Sequence, residues 1–582
     1  MRPLKAFGRA AAGIAALAAA ACERGADEET PRAPDQSTER RVSAEQTIVG
    51  YVDESGAAVW RGVRFADTTA GDNRWRAPRP PKAAPGLTRA LEDPDRCPQL
   101  TNAFNAPGGE PGRLTGDEDC LKMNIFAPPD AEGAPVMVFI HGGGNVWGGA
   151  GDFDGARLAA NENVVVVMPQ YRLGPLGFFA FDALQEAARD AAADGDPDDA
   201  GSNAPPRDAA ANFALLDLIA ALEWVRDNVD AFGGDPERVT IFGHSAGGRN
   251  VAALLASPLA KGLFHRAIVQ SGNFTSTNMA DARGDEPGAE NSGRVIARRL
   301  GARTPGDLRA SLLPSIFAAY EPNDGGFFEL PQMVEDGVTL PAAPLREAVT
   351  GPDASDVPIV LGVTRDEMKL FFALEEAMSK RLFGVFPTPR DPVIYEATAR
   401  YTSRAWRVLG VDEPARRLVD AGREVYAYRF DWDEGGRIFF TDFKVMIGAA
   451  HAMELPFVFD RFALLGFADR FMFQRRTRVA REELASVMGE YWSSFAAAGV
   501  PTAEGAPAWP TYGAEGRVLR LDTPVSNGGI DVMTGGDSIE RIVSDLQADD
   551  ALSAATKCDI ALRISLWAPR LTATFSDAFD CS

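Results

Sequence analysis

Residues 239–248, VTIFGHSAGG, join an apolar, β-branched run to a Gly-x-Ser-x-Gly turn, and residues 249–257 after it have a helical pattern. A strand that turns sharply into a helix presents the side chain of its serine, Ser245, above the sheet edge. Gly243 and Gly247 lie where a side chain would collide with neighbouring backbone. The helix N-terminus offers free N–H groups to a reacting oxygen. The stretch predicts a nucleophilic serine, although so short a motif leaves a chance Gly/Ser-rich turn as the alternative.

Further apolar runs predict an α/β fold around this turn. Most are rich in Val and Ile, which is typical of strands covered on both faces. Helical segments and Gly-rich turns separate them, so we expect a large, mostly parallel central sheet with helices on both faces. The mainly helical and loop-like segments between 271 and 357 and between 371 and 422 predict insertions over the active site. The runs are 136–140, 164–168, 267–270, 357–363 and 425–430. The last of these, 425–430, is the last strand that we predict.

A His-Gly-Gly-Gly run follows one of these strands directly, at residues 141–144. Consecutive glycines at the end of a buried strand let backbone N–H groups approach a bound atom closely. A flexible turn is the alternative, but a turn needs only one or two glycines. We therefore predict that the N–H groups of Gly143, Gly144 and Ala246 form an oxyanion hole.

An alcohol nucleophile needs a base, and the chain has only four histidines. We expect His141 to support the glycine run in which it lies. His244 adjoins Ser245, so its side chain should point away from that of the serine, and His265 lies just before a strand. His451 follows the last predicted strand, where the chain order Ser…acid…His places a catalytic base.

A carboxylate that orients the base should follow a strand between Ser245 and His451. Asp366 and Glu367 both follow the run 357–363. If Glu367 is the acid, its carboxylate would hold the tautomer of His451 and stabilise the imidazolium that forms. His451 would take the serine proton and return it to the leaving alcohol. We expect no metal and no cofactor, since the sequence has neither a ligand cluster at metal spacing nor a phosphate loop with Lys.

Composition narrows the class of partner. The 582 residues are 45% hydrophobic, which is enough for a large core in one α/β domain with insertions. Against 59 Lys and Arg stand 82 Asp and Glu, so the net charge is −23. An acidic surface argues against nucleic acid and anionic membrane as partners. The acidic composition says little about the substrate, since surface charge mostly serves solubility, and it gives no oligomeric state.

The first residues are typical of an export signal. Basic residues precede an Ala-rich segment at 10–21 that is too short to span a bilayer, so we predict a signal peptide at 1–21. Signal peptidase would cleave after the Ala run, or Cys22 would be acylated as in a bacterial lipoprotein. Residues 22–45 predict a flexible polar tether before a hydrolase domain at 46–582. The protein would leave a bacterial cytoplasm and be periplasmic, an outer-membrane lipoprotein or secreted, with membrane attachment only through the N-terminal lipid.

The other four cysteines form two pairs that are close in sequence, Cys97 with Cys120 and Cys558 with Cys581. Export favours disulfides, and this pairing leaves Cys22 for a lipid. Each bridge would contribute about 3 kcal/mol in the chain-entropy model. Buried free thiols are the alternative.

These motifs together resemble those of type-B carboxylesterases, the esterase and cholinesterase branch of the α/β hydrolases. The resemblance runs from about Trp60 to Tyr512 and implies an α/β-hydrolase fold that cleaves carboxylic esters through an acyl-serine intermediate. It is carried by residues 118–121 (EDCL) with Asn124, 141–144 (HGGG), 171–174 (YRLG), 232–236 (FGGDP), 243–247 (GHSAG), 362–367 (GVTRDE), His451 with Glu454, 491–492 (YW) and 509–510 (WP).

The resemblance also implies residue roles. It makes Ser245, Glu367 and His451 a catalytic triad, with Glu367 rather than Asp366 as the acid. In the same pattern, Ser271 is the buried serine that supports the acid.

Two departures from the family pattern disfavour a choline ester. Many members have Glu before the nucleophile, where this chain has His244. The resemblance makes Cys97 and Cys120 a disulfide, and in cholinesterases the loop between them carries a choline-binding Trp. This chain has Phe104 and no Trp in that loop.

Three residues are candidates for the substrate pocket: Trp147, His244 and Arg249. Arg249, one helical turn past Ser245, would contact an anionic acyl group or form a structural ion pair. We predict a serine carboxylic-ester hydrolase with a small-molecule ester substrate. The alternatives are a catalytically inactive adhesion or ligand-binding member of the fold, and an esterase for a specific anionic or bulky natural ester, such as a toxin or polycarboxylate ester.

Overall fold

A computed structural model of the chain describes residues 32–581 except 44, 83, 103, 107–108, 194–205, 286–290, 322–329, 383–385, 465, 525–527 and 580. The predicted signal peptide at 1–21 and Cys22 lie outside the described residues. The chain divides into two compact units. The N-terminal unit comprises Gly25–Pro358 with Gly489–Pro501, and the C-terminal unit comprises Ile359–Met488 with Thr502–Ser582.

The described strands of the N-terminal unit form one large sheet, one three-stranded sheet and two short pairs. The large sheet has the order β12-β11-β9-β10-β8-β4-β3, in which β12, β11, β9 and β10 are parallel and the remaining strands antiparallel. In chain order the strands are β1 (Arg40–Arg41), β2 (Gln46–Val49), β3 (Tyr51–Val52), β4 (Ala58–Arg64), β5 (Gly86–Arg89), β6 (Gln99–Leu100), β7 (Leu114–Thr115), β8 (Lys122–Ala127), β9 (Ala134–Ile140), β10 (Val165–Pro169), β11 (Gly234–His244), β12 (Arg266–Gln270), β13 (Thr277–Asn278) and β14 (Val334–Glu335).

Register in the parallel part of this sheet brings the carboxyl ends of three strands level. Gly243 on β11 lies opposite Ile140 on β9 and Val269 on β12. The residues that follow these strands therefore emerge at one edge, which is where α/β folds bind ligands. All residues of β9 and β10 are buried, as expected for strands covered on both faces.

The helices of the N-terminal unit include one that leads to β11 and one that follows it. The first, α4, continues into a 3-10 turn, Val229–Phe232, which ends at Gly233 with φ 84°, where an added Cβ would lie 2.4 Å from Ala131 O. The second, α5, is followed by Pro258. In chain order the helices are α1 (Ala156–Glu162), α2 (Gly174–Gly177), α3 (Asp182–Ala193), α4 (Phe213–Asn228), α5 (Ala246–Ala256), α6 (Met279–Arg283), α7 (Gly293–Leu300), α8 (Pro305–Arg309), α9 (Leu313–Ala318) and α10 (Leu345–Ala348).

Part of the segment that we predict as a tether is ordered on the N-terminal unit. Arg40 and Arg41 pair with β2, and Thr38 is buried. The indole N–H of Trp60 donates to Thr38 O (2.8 Å), and a guanidinium N–H of Arg32 donates to Leu91 O (3.1 Å). Ordered structure thus begins before residue 46, because these polar residues find backbone partners that composition does not reveal.

In the C-terminal unit, four strands pair side by side in the order β22-β21-β18-β15. The strands β15, β18 and β21 are parallel, and β22 is antiparallel to β21. The expectation that 425–430 is the last strand is wrong, since β21 and β22 follow it. The strands of this unit are β15 (Ile359–Thr364), β16 (Ser379–Leu382), β17 (Phe386–Pro389), β18 (Val425–Phe430), β19 (Arg437–Ile438), β20 (Thr441–Asp442), β21 (Val518–Leu521) and β22 (Asp531–Met533).

The helices of the C-terminal unit include a cluster at the end of the chain, in which α12 packs against α18 and α19 around Ile542 and Ile564. Asp391 caps α12, since its carboxylate accepts from two N–H groups of the first turn. The helices are α11 (Lys369–Leu374), α12 (Pro392–Arg407), α13 (Glu413–Asp420), α14 (Phe443–Met446), α15 (Leu455–Val458), α16 (Asp469–Met472), α17 (Arg478–Ala498), α18 (Ile539–Ala548), α19 (Ala554–Trp567) and α20 (Thr572–Ala578). Of α17, the residues up to Met488 belong to this unit and those from Gly489 onward to the N-terminal unit.

Both predicted disulfides are present. Cys97 and Cys120 are bridged in the N-terminal unit, and Cys558 and Cys581 in the C-terminal unit. These four cysteines are therefore not free thiols. Within the described residues, no helix is both long enough and apolar enough to cross a membrane.

Candidate active site

Ser245 lies in a strained turn between β11 and α5. Its φ of 60° and ψ of −122° are unusual for a residue other than glycine. The backbone N–H of Ser245 donates to Gln270 O (2.8 Å). An added Cβ would lie 2.5 Å from Gly247 O at Gly243, and 2.0 Å from Ile140 O at Gly247. The two glycines therefore permit the close approach that holds this serine at the sheet edge, as the sequence predicts.

The glycine run after β9 packs against this turn. An added Cβ at Gly142 would lie 3.1 Å from Ser245 Cβ and 2.7 Å from His244 O. Gly143 and Gly144 have φ values of 101° and 64°, which favour glycine. Within the described part of the chain, the N–H groups of Gly143, Gly144 and Ala246 donate to no acceptor. Three unused donors thus lie in the two backbone segments next to the serine.

His141 supports the glycine run from beneath, as expected. Its Nδ1 lies 2.9 Å from Gly142 O, and its ring stacks on that of Tyr171 with centroids 4.4 Å apart. The Tyr171 hydroxyl donates to His141 O (2.7 Å) and to Asn145 Oδ1 (3.2 Å). Burial lowers the pKa of His141 to about 4, so its imidazole is neutral at pH 7.

The loop between Cys97 and Cys120 also contacts the segment that follows the glycine run. The sequence did not reveal these contacts. The fully buried amide of Gln99 donates to Gly148 O (2.9 Å) and accepts from Gly148 N (3.0 Å). In the same loop, Phe104 stacks on Trp147 at 5.4 Å with an interplanar angle of 4°. Trp147, a pocket candidate, is therefore held by an aromatic partner and remains partly exposed.

The other two pocket candidates also belong to the N-terminal unit. His244 is buried at the end of β11, directly before Ser245. Arg249, in the first turn of α5, is partly buried and donates from Nη2 to Gln332 Oε1. Gln332 also donates to Gly144 O (2.9 Å), although nothing in the sequence pointed to it. The remaining histidine, His265, accepts from Val239 N (3.2 Å) and thus supports a strand.

The predicted acid and base meet in the C-terminal unit. Glu367 follows β15, His451 follows α14, and Nδ1 of His451 lies 2.5 Å from Oε2 of Glu367. Glu367 is fully buried, and its Oε1 accepts from Thr364 N (2.8 Å). Such a carboxylate fixes the orientation and tautomer of the imidazole.

Backbone contacts fix the two loops that carry this pair. His451 N donates to Glu367 O (3.3 Å), and Asp366 N donates to Ala449 O (2.9 Å). The Asp366 carboxylate accepts from Ala449 N (3.1 Å) and from Arg365 Nη2 (2.7 Å). Asp366 thus holds the histidine loop, whereas Glu367 contacts the imidazole.

Two aromatic rings flank His451, and sequence reasoning missed both. The ring centroids of Phe371 and Trp406 lie 5.3 and 5.4 Å from that of His451. Phe371 lies on α11 only four residues after Glu367, so its proximity along the chain was the one available signal. Trp406 lies at the C-terminal end of α12, and nothing in the sequence pointed to it as a neighbour of His451.

Ser245 and the His451–Glu367 pair belong to different units, and their convergence into a triad stays a prediction. Ser271, which the resemblance makes a support of the acid, is buried after β12 with a φ of 48°. Its support of the acid also stays a prediction.

A parallel sheet whose nucleophile-type turn ends one strand, with a Glu–His pair carried on loops that follow later strands, is the arrangement of an α/β hydrolase. Solved structures agree. A PNB esterase has a TM-score of 0.67 at 27% identity, with 87% of this chain and 99% of that chain covered. A Geobacillus stearothermophilus carboxylesterase has a TM-score of 0.65 at 28% identity, with the same coverage. The predicted fold class is therefore confirmed.

Sequence comparison narrows the class to a family. The profile of the carboxylesterase family matches residues 46–190, 203–386 and 375–534. A para-nitrobenzyl esterase of Bacillus subtilis (strain 168) is 32% identical over 526 residues, covering 84% of this chain and 96% of that protein. The cocaine esterase of Homo sapiens is 31% identical over 511 residues, covering 80% and 84%. The chain belongs to the carboxylesterase family and is a carboxylic ester hydrolase.

Proposed function

We propose that the chain cleaves esters with Ser245 as the nucleophile, His451 as the general base and Glu367 as the carboxylate that orients the base. His451 Nε2 takes the proton of the Ser245 hydroxyl as Oγ attacks the ester carbonyl carbon. The resulting oxyanion accepts hydrogen bonds from Gly143, Gly144 and Ala246, each typically worth about 3 kcal/mol of barrier.

The tetrahedral intermediate then collapses into an acyl-serine. The bond to the alcohol oxygen breaks, and the His451 imidazolium returns its proton to that oxygen. In the second half of the reaction, water loses a proton to His451 and attacks the acyl carbon. The carboxylic acid leaves, and Ser245 Oγ regains its proton.

The hydrogen bond between His451 and Glu367 is the observation that best supports this assignment. The two residues are 84 positions apart, and their chain order relative to Ser245 is that of α/β-hydrolase triads. The buried Glu367 carboxylate stabilises the imidazolium that forms when the serine loses its proton. The three unused N–H donors beside Ser245 supply the matching oxyanion site.

The assignment is tested by substitution of the nucleophile. Ser245→Ala should lower kcat for 4-nitrophenyl butyrate by about 10⁴- to 10⁶-fold with the fold intact. Glu367→Gln should lower it by roughly 10²- to 10⁴-fold, because the imidazole loses its orienting charge. A fluorophosphonate should label a single peptide, the one that contains Ser245.

Ser257→Ala is the matched control, since Ser257 is a buried serine directly after the same helix. It should retain wild-type turnover and fluorophosphonate labelling. Butyrate ester hydrolysis at the wild-type rate by Ser245→Ala, or labelling of a different serine, would refute the assignment.

A further inference from the structure

Arg249, four residues after Ser245 on α5, carries a positive charge, and no carboxylate among the described residues pairs with it. Its hydrogen bond goes to the neutral amide of Gln332, and its buried Nε has no partner within the described chain. A buried arginine usually pairs with a carboxylate, as Arg172 of the same unit does with Asp217, which lies 2.7 Å from its guanidinium. A partly buried guanidinium without such a partner is unusual, because desolvation disfavours an uncompensated charge.

The position of Arg249 links this charge to the reacting groups. Its backbone N–H donates to Ser245 O (3.0 Å), so it lies one helical turn past the nucleophile. Gln332 connects its guanidinium to the glycine run, since the same amide donates to Gly144 O (2.9 Å) and accepts from Asn145 Nδ2 (3.3 Å). Arg249 is therefore two hydrogen bonds from the loop that would hold the oxyanion.

We propose that Arg249, together with Gln332, binds a carboxylate on the acyl group of the substrate, so that the preferred esters are monoesters of dicarboxylic acids or esters of polycarboxylic acids. This inference rests on the proposed role of Ser245. The acyl group stays attached to Ser245 after the alcohol leaves, so a cation on the same helix can hold it in both halves of the reaction.

Charge and geometry both favour an anionic acyl group. The guanidinium fork donates two parallel hydrogen bonds to a carboxylate, which a neutral acyl chain cannot accept. Burial lowers the pKa of Arg249 to about 10, so the side chain is still cationic at neutral pH. The chain as a whole has a net charge of −23 and repels anions, so attraction of a carboxylate must come from a local cation.

The test compares two esters of nearly equal size, mono-4-nitrophenyl glutarate and 4-nitrophenyl pentanoate. In the wild-type enzyme we expect kcat/KM to be about 10-fold or more higher for the glutarate. Arg249→Gln should lower this ratio by about 10-fold, mainly through a higher KM for the glutarate, and Arg249→Lys should restore part of it. Free glutarate should slow fluorophosphonate labelling of Ser245 in the wild type at lower concentrations than pentanoate.

Arg266→Gln is the matched control, because Arg266 is a partly buried arginine of the same unit whose guanidinium hydrogen-bonds only to Ala496 O and Ala497 O within the described chain. It should leave the glutarate/pentanoate ratio unchanged. Equal kcat/KM for the two esters in the wild type, or an equal loss for both in Arg249→Gln, would overturn the proposal. Failure of the proposed function would be seen separately, as pentanoate hydrolysis that survives Ser245→Ala.

Discussion

His141 shows how burial decides the role of a histidine. Its folded pKa of about 4 lies below the ordinary value of 6.5, so between these values the unfolded chain binds a proton that the folded chain does not. The stabilisation is complete above pH 6.5 and is lost as the pH falls towards 4, by about 3 kcal/mol. Urea unfolding of the wild type and of His141→Gln at pH 7 and pH 4.5 should show a smaller pH dependence in the variant. If the unfolding free energy fell equally with pH in both proteins, the burial of His141 would not be the cause of the pH dependence.

Single residues were predictable where chemistry or chain order singles them out. Ser245 and Gly247 belong to a motif with one structural solution, and His451 is the only histidine in the right place in the chain. Gln332 and Trp406 are ordinary in sequence, because their roles come from neighbours that are distant along the chain. No local sequence pattern encodes such contacts, so the roles of these residues can be identified only in the folded structure.

At the scale of elements, the turn between β11 and α5 depends on two glycines with no space for a side chain. Gly247→Ala would place a methyl group 2.0 Å from Ile140 O, the last residue of β9, and the backbone before the glycine run would have to move. We expect a loss of about 1–3 kcal/mol in unfolding free energy and a fall in kcat of at least roughly 100-fold. Urea unfolding and steady-state kinetics measure the two effects.

Gly306→Ala is the control for this substitution. An added Cβ on this helical glycine of α8 would come no closer than 3.7 Å to Thr304 Oγ1. It should leave kcat unchanged and raise the unfolding free energy by up to about 1 kcal/mol. Full activity in Gly247→Ala would show that the close approach at the turn is not required.

The side chain of Gln99 gives a second prediction at this scale, for the segment that follows the glycine run. Gln99→Ala removes both hydrogen bonds to Gly148, so we expect kcat to fall by about 10-fold and the unfolding free energy by about 1–3 kcal/mol. Gln185→Ala is the control, since the side-chain amide of this buried glutamine of α3 hydrogen-bonds only to Ala210 O among the described residues. It should lower stability without lowering kcat. Equal kcat values in the two variants would exclude a positioning role for Gln99.

Elements were predictable in proportion to their burial. The strands β9 and β10 consist of fully buried residues, and apolar runs located them to within about two residues. The short strands β21 and β22 were missed because Arg520 and Asp531 interrupt the apolar pattern. These two side chains form an ion pair (2.7 Å) across the strand pair, so a tertiary contact compensates for weak local propensity.

At the scale of the whole molecule, export stays a prediction, because residues 1–31 lie outside the described structure. We propose that residues 1–21 are removed when the chain is produced with its leader in a bacterium. Mass spectrometry of the purified protein should then find Cys22 at the N-terminus with a diacylglyceryl group, or a first residue shortly after the Ala run. A mature protein that retains Met1 would refute export by this route.

The two disulfides offer a comparison of the two units. Each bridge joins cysteines 23 residues apart, so the chain-entropy model gives both the same stabilisation, about 3 kcal/mol. Replacing either pair with serine should therefore lower the thermal midpoint to a similar extent. Only the loss of Cys97–Cys120 should also lower kcat, because its loop carries Gln99 and Phe104, which hold Gly148 and Trp147 against the glycine run. Each double variant controls for the other in scanning calorimetry and ester kinetics. An equal fall in kcat in both would mean that the loop acts on activity only through global stability.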